Sequence, residues 1–243
     1  MNTEQTVAQL QQLKLHGMAV RYEALLDLPI HQQPEAHALL AMLTEAELGY
    51  RSQQRTGLYM RLSKLRYQAV LEQIHCSAAR GFTTEQLQLL CDGSFIEKSE
   101  NIVISGSTGC GKSYLACALG RQACTLGYRT LYYSMNRFIE SLATARLDGT
   151  YVKWLNHLAK TPLLILDDFG LQPLTHDMRL TLLQIMEDRY GRGSTIIAAQ
   201  LPLSKWYDYL NEPTIADAIM DRLTARMHKI DLKGESKRKA KTN

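Results

Sequence analysis

Residues 106–113 read Gly-Ser-Thr-Gly-Cys-Gly-Lys-Ser, an uninterrupted G-x-x-x-x-G-K-[ST] loop. It stands between an apolar run, Ile102 to Ile104, and a helix-forming stretch, Tyr114 to Ala123. A strand, a glycine-rich turn and a helix in that order leave few alternatives. Gly106, Gly109 and Gly111 let the backbone curl until its N–H groups point inward, and the helix that follows brings its positive end to the same spot, so the two together cradle phosphate. Lys112 adds a point charge placed for β- and γ-phosphates, and the Ser113 hydroxyl is the kind of oxygen that ligates Mg²⁺. The expected nucleotide-binding set is Gly106, Ser107, Thr108, Gly109, Cys110, Gly111, Lys112, Ser113 and Tyr114, with ATP and Mg²⁺ as the implied ligands.

Such a site needs an acid opposite the loop. Leu163-Leu164-Ile165-Leu166-Asp167-Asp168 reads as a buried strand that ends in two carboxylates. Asp167 is expected on the Mg²⁺ side beside Ser113, and Asp168 is expected to orient and deprotonate the attacking water. The apolar run Thr195 to Ala199 ends at Gln200, whose amide suits either the γ-phosphate or a cap on the Leu201-Pro202 turn. A late helix carries Arg222, too far along the fold to reach the chain's own phosphates. It is expected to stabilise phosphoryl charge in a neighbouring copy, the alternative being a solvated helix surface. Arg238, past Gly234-Glu235-Ser236, is a candidate phosphate contact in cis, or else part of a basic end, Lys237 to Lys241.

To about residue 75 no strand-like run occurs, and apolar positions such as Leu39, Leu40, Leu43 and Ala46 recur at helical spacing. The pattern predicts helices over 6–15, 18–26, 36–55 and 60–72, a small α-helical domain spanning 1–75. A connector with a short helix over 84–90 leads into strands at 101–105, 129–134, 162–167, 194–199 and 228–232. Helices at 112–126, 136–147, 150–158, 175–190 and 213–226 alternate with them. That alternation predicts an α/β P-loop NTPase over 76–243, a five-stranded, mostly parallel sheet between helices.

No apolar run is long enough to cross a bilayer, and Met1-Asn2-Thr3-Glu4-Gln5 lacks the basic opening of a signal peptide, so a cytoplasmic location is expected. The 5 cysteines are odd in number and include no C-x-x-C pair, which argues against a disulfide framework and against zinc. Cys117 and Cys124 lie two helical turns apart and read as small packing groups. The net charge of +4 is unevenly placed. Basic residues gather between Arg51 and Arg80 and again from Arg222 onward, which suits contact with phosphate backbones or, equally, a solvated face and a basic tail.

Taken together, the phosphate loop, Leu-Leu-Ile-Leu-Asp-Asp-Phe-Gly (163–170), Gln-Leu-Pro followed by Trp206, Asn-Glu-Pro-Thr-Ile-Ala-Asp-Ala-Ile-Met-Asp-Arg-Leu (211–223) and Gly-Glu-Ser-Lys-Arg (234–238) resemble the IstB-type insertion-sequence ATPases, transposition helpers of the AAA+ class. The start Leu-Lys-Leu-His-Gly-Met (13–18) fits the same family. The resemblance implies a homo-oligomeric ATPase that assembles on double-stranded DNA, bends it and presents it to a partner transposase of the IstA kind. It assigns Lys112 and Ser113 to Walker A, Asp167 and Asp168 to Walker B, Gln200 to sensor 1, Arg222 to the arginine finger and Arg238 to sensor 2. Asp168 and Gln200 stand where glutamate and asparagine are commoner in the class, which implies slow turnover. Too little sequence follows Arg238 for a helical C-terminal lid. By the same resemblance the region 136–160 faces nucleic acid, through Arg137, Arg146, Lys153 and Lys160 with Tyr151 and Trp154 interleaved, the alternative being that the two rings are core and the basic residues simply exposed. The alternatives are a helicase loader of the DnaC kind, a small-molecule kinase and a nucleotide-gated scaffold without turnover.

Overall fold

Five apolar runs form strands: β1 (Asn101–Gly106), β2 (Thr130–Ser134), β3 (Leu163–Phe169), β4 (Ser194–Ala199) and β5 (Met227–Leu232). In the computed structural model, which describes residues 3–234, they pair in the order β2-β3-β4-β1-β5, every pair parallel. β4 therefore separates the phosphate-loop strand β1 from the acid-bearing strand β3. Side chains alternate across a strand, so each run supplies both faces. Ile102, Ile104, Leu163 and Ile165 point to one side, against Leu115, Ala116 and Leu119 of α6 (Lys112–Thr125). Val103, Leu164, Leu166 and Ile197 point to the other side. There they meet α7 (Met135–Leu147), α8 (Tyr151–Ala159), α9 (His176–Arg189) and α11 (Pro213–Thr224). Each such Leu or Ile, fully buried, contributes about 1.5–3 kcal/mol. Gly120 brings α6 close to the sheet: a Cβ there would sit 2.7 Å from Ile165 Cδ1.

The starts of the helices follow from local chemistry. Ser134 accepts from the Arg137 N–H and Thr175 from the Met178 N–H, capping α7 and α9. α4 (Thr84–Cys91) opens with a capping box in which Thr83 and Gln86 bond each other's backbone N–H. A turn of helix, α5 (Ser94–Glu97), precedes β1, and a short α10 (Trp206–Leu210), absent from the sequence reading, seats Trp206 on Phe169 with ring centroids 4.6 Å apart. Among the described residues no helix is long and apolar enough to cross a membrane.

Two compact units divide at Leu58/Tyr59. The first holds α1 (Thr3–Gln12), α2 (His16–Leu26) and most of α3 (Ala36–Ser63). Gly17 is the close approach between α2 and α3, since a Cβ there would lie 2.5 Å from Ala46 O. Glu47 reaches across from α3 and accepts from the Gly17 and Met18 N–H groups at 2.7 and 3.2 Å, closing the open end of α2.

The unit boundary differs from the expected one near residue 75, and of the expected separate helix over 60–72 only 60–63 is α-helical, as the end of α3. α3 ends at Ser63, whose hydroxyl bonds back to Met60 O at 2.7 Å, and Lys64 turns the chain with φ 55°. The chain beyond has no α-helix before α4, only short 3-10 turns at Leu71–Gln73 and Ala78–Arg80. Leu65, Tyr67, Leu71 and Ile74 pack on the α6 side of the core, which ties the segment to the second unit.

Candidate functional site

The phosphate loop turns between the end of β1 and the start of α6. Gly106, Gly109 and Gly111 adopt φ of 148°, 84° and 103°, a region that L side chains rarely enter. A Cβ at Gly106 would lie 2.2 Å from Leu232 O, so the loop can be shaped this way only with glycine there. α6 has no side-chain cap, which leaves its first N–H groups for an anion. Lys112 is buried and folds back on the loop, its Nζ donating to Gly106 O and Ser107 O, each at 2.9 Å. Arg80 braces the loop from outside, donating to Cys110 O at 2.8 Å and to His75 O.

Across the loop lies Asp167, 1% exposed. Its Oδ1 accepts from Ser113 Oγ at 3.0 Å and from the Asp168 N–H at 2.8 Å, and its Oδ2 accepts from the Tyr132 hydroxyl at 2.6 Å. Burial, with the bond to Asp167, pushes the Tyr132 phenol up, so it stays the donor. Asp168 follows with φ 60°, where the β3–β4 ladder loses register between Leu166 and Phe169. That irregularity turns the second acid out of the sheet, and its Oδ2 meets Arg66 Nη1 at 3.0 Å. Gln200 ends the strand between them, and its Oε1 accepts from Thr108 Oγ1 at 3.0 Å. Ser113, a hard hydroxyl oxygen, and Asp167, a buried carboxylate, form the donor set that suits Mg²⁺ at a phosphate.

These groups line a cavity of about 560 Å³, of the size small ligands occupy. Thr108, Lys112, Ser113, Asp168 and Gln200 form its polar wall. Tyr67, Ile74, His75, Phe82 and Tyr114 form a flatter wall beside the loop, with the Tyr114 hydroxyl bonded to Gln73. The connector residues in that wall, together with Tyr132 and Arg66, had no signal in the sequence.

Arg222 lies elsewhere. The Asn101 side chain donates to Arg222 O at 3.4 Å and to Leu223 O at 3.1 Å, so that end of α11 sits at the start of β1. The phosphate loop leaves the other end of the strand, roughly 20 Å away at about 3.3 Å per residue. Arg222 pairs there with Glu187 at 3.3 Å and with Asp221 at 3.6 Å. Arg137, Lys153 and Lys160 are exposed. Arg146 is engaged within the chain, 2.5 Å from Asp177 Oδ2 and over the Tyr151 ring. Trp154 packs on Phe138 at 5.4 Å and belongs to the core rather than to an exposed stacking surface. Arg238 lies outside the described residues.

A family model described as "IstB-like ATP binding protein" matches residues 8–243. An insertion sequence ATP-binding protein of Sinorhizobium fredii is 42% identical over 234 residues, 96% of this chain and 96% of that one. The crystal structure of the DnaC helicase loader aligns with a TM-score of 0.56 at 22% identity, over 70% of this chain and 99% of that one. AMPPCP-bound DnaA from Aquifex aeolicus aligns with a TM-score of 0.57 at 21% identity, over 72% and 53%. At those identities the two structures show a shared fold and no more.

Proposed function

The chain belongs to the IstB-like ATP-binding protein family, and on that premise we propose that it is an ATP-hydrolysing helper of DNA transposition. In this proposal it oligomerises on duplex DNA, remodels it and delivers it to a cognate transposase. The observation that carries the enzymatic part is that Lys112, Ser113 and Asp168 line one cavity while Asp167, behind it, is bonded to Ser113 and to the Asp168 N–H.

ATP enters with its phosphates in the loop, where the free N–H groups of α6 and the backbone of residues 106–111 receive them. Lys112 exchanges the carbonyls of Gly106 and Ser107 for phosphate oxygens. Ser113 and Asp167 would hold Mg²⁺, which when bound neutralises phosphate charge. Tyr132 keeps the Asp167 carboxylate fixed. Asp168 orients a water in line with the γ-phosphorus and accepts its proton. As the new P–O bond forms, the bond to the β-phosphate oxygen breaks, and ADP leaves with the electron pair. Gln200, at the edge of the same cavity, orients the γ-phosphate or the water. Arg222 serves a neighbouring copy's site, a role to which its distance from its own loop lends support. Arg137, Lys153 and Lys160 contact the DNA backbone, with Arg146 joining only if it leaves Asp177.

The test is ATP hydrolysis by the purified chain with duplex DNA, with single-stranded DNA and with none, while light scattering follows particle size. Large ATP-dependent assemblies on duplex, with altered turnover, are expected. Preference for single strands would instead assign a helicase loader of the DnaC kind. Turnover indifferent to both DNAs would remove the DNA-remodelling role.

A further inference from the structure

The nucleotide cavity and a groove along the β2 edge meet at Arg66, Asp168 and Leu171, which line both. The wall between them is the ion pair of Arg66 Nη1 with Asp168 Oδ2 at 3.0 Å, and the guanidinium sits 5.4 Å from the centre of the Tyr67 ring. The guanidinium occupies one acceptor site of that carboxylate and offsets its negative charge, which weakens it as an acceptor for a water's proton. Both partners are partly exposed, at 43% and 33%, so the pair is solvated and exchangeable. Lys112 and Ser113 line the same cavity, and the bond to Asp168 sets Arg66 at its acid-bearing wall, toward which a γ-phosphate held by Lys112 would point.

We propose that Arg66 is a positioning residue that reads the γ-phosphate: without it the guanidinium holds Asp168, and with it the guanidinium moves to phosphate and releases the carboxylate to water. A γ-phosphate offers more negative charge and more acceptor oxygens than one carboxylate, in a geometry that a planar fork matches. ADP lacks that group and leaves Arg66 on Asp168. On the groove side the guanidinium has Lys64 and Arg137 beside Glu140, a net basic lining that favours its movement toward nucleotide. The inference rests on the nucleotide-site reading above.

The test titrates the full chain with fluorescent ADP and with the non-hydrolysable analogue AMPPNP, for wild type, Arg66→Ala, Arg66→Lys and Lys112→Ala, alongside thermal unfolding without nucleotide. Arg66→Ala is expected to weaken AMPPNP about tenfold, one charge-assisted contact, and to leave ADP within about twofold. Arg66→Lys should recover part of the preference, because the charge stays and the fork is lost. An equal loss for both nucleotides would make Arg66 a brace of the connector, and no change for either would remove it from the site; both outcomes overturn the proposal. If Arg66→Ala melts below the assay temperature, the same comparison on Arg66→Lys decides, with selective loss of AMPPNP in favour and equal or no loss against. Lys112→Ala separates the two levels. Unchanged binding of both nucleotides in that variant would sink the nucleotide site itself, whereas lost binding there with normal behaviour in the Arg66 variants would sink only the γ-phosphate role.

Discussion

The Tyr132 hydroxyl donates to Asp167 Oδ2 at 2.6 Å from the neighbouring strand, while Ser113 holds the other oxygen of the same carboxylate from the phosphate loop. The acid is thus oriented from both sides before any nucleotide arrives. Tyr132→Phe removes one donor and leaves a buried carboxylate oxygen unsatisfied. We expect a loss of about 1–3 kcal/mol in stability, read by thermal or denaturant unfolding, and slower turnover. Unfolding and turnover both equal to wild type would show that Tyr132 does not hold the acid.

Among the described residues Lys112 has no carboxylate partner and rests on loop carbonyls, so its removal should spare the fold and abolish tight ATP binding. Circular dichroism and titration with a fluorescent ATP analogue check the two halves. Affinity unchanged from wild type would contradict the phosphate-loop argument.

Arg222→Ala should leave ATP binding intact and cut turnover of the assembled protein on the order of 10³-fold, the scale of an arginine supplied in trans. Its pairs with Glu187 and Asp221 are exposed enough that their loss should change stability little. Mixing this variant with Lys112→Ala is the sharper measurement. One partner keeps an intact loop and the other an intact Arg222, so mixed assemblies should recover activity that neither variant has alone. Additive, unrecovered rates would remove the trans role.

The phosphate loop and the paired acids were legible in the sequence because their chemistry demands fixed residue types at fixed spacing, and strand and helix periodicity on either side confirmed the context. All five strands followed from the same apolar runs. Arg66 and Tyr132 were not legible. Arg66 meets Asp168 across 102 residues of chain and Tyr132 meets Asp167 across 35, encounters decided by strand order and by an extended connector rather than by any local pattern. The helix expected over 60–72 stops at Ser63, since nothing about Lys64 announces that it will adopt a positive φ. Trp154 and Tyr151 sit among basic residues, which left their role open between a DNA-facing surface and the core; Phe138 from the helix before them gives Trp154 a place against the core.

Thiol chemistry offers a further check. Cys110, Cys117 and Cys124 are buried, and Cys76 and Cys91 are partly exposed. Burial pushes the Cys117 thiol up to about 11, so little thiolate exists at neutral pH. Iodoacetamide at pH 8, followed by mass spectrometry, should modify the native chain at Cys76 and Cys91 first, with the other three reacting only on unfolding. Because deprotonation precedes attack, raising the pH toward 11 should speed the Cys117 reaction where access permits. Fast labelling of Cys117 at pH 8 would show that the α6 side of the core opens readily.

The strand that carries the phosphate loop is made early and completed late. β1 lies between β4 and β5, whose pairing registers join Ile102 to Ile196 and Gly106 to Leu232. During synthesis the phosphate loop therefore emerges long before either neighbour of its strand exists: one edge of β1 stays open until β4 begins at Ser194 and the other until β5 begins at Met227. Parallel pairs of such sequence separation close slowly, and an open apolar edge is a template for the wrong partner. A growing chain of this kind has most need of chaperone cover between the appearance of its nucleotide loop and the release of residue 232, and nucleotide cannot help it fold until that interval has passed.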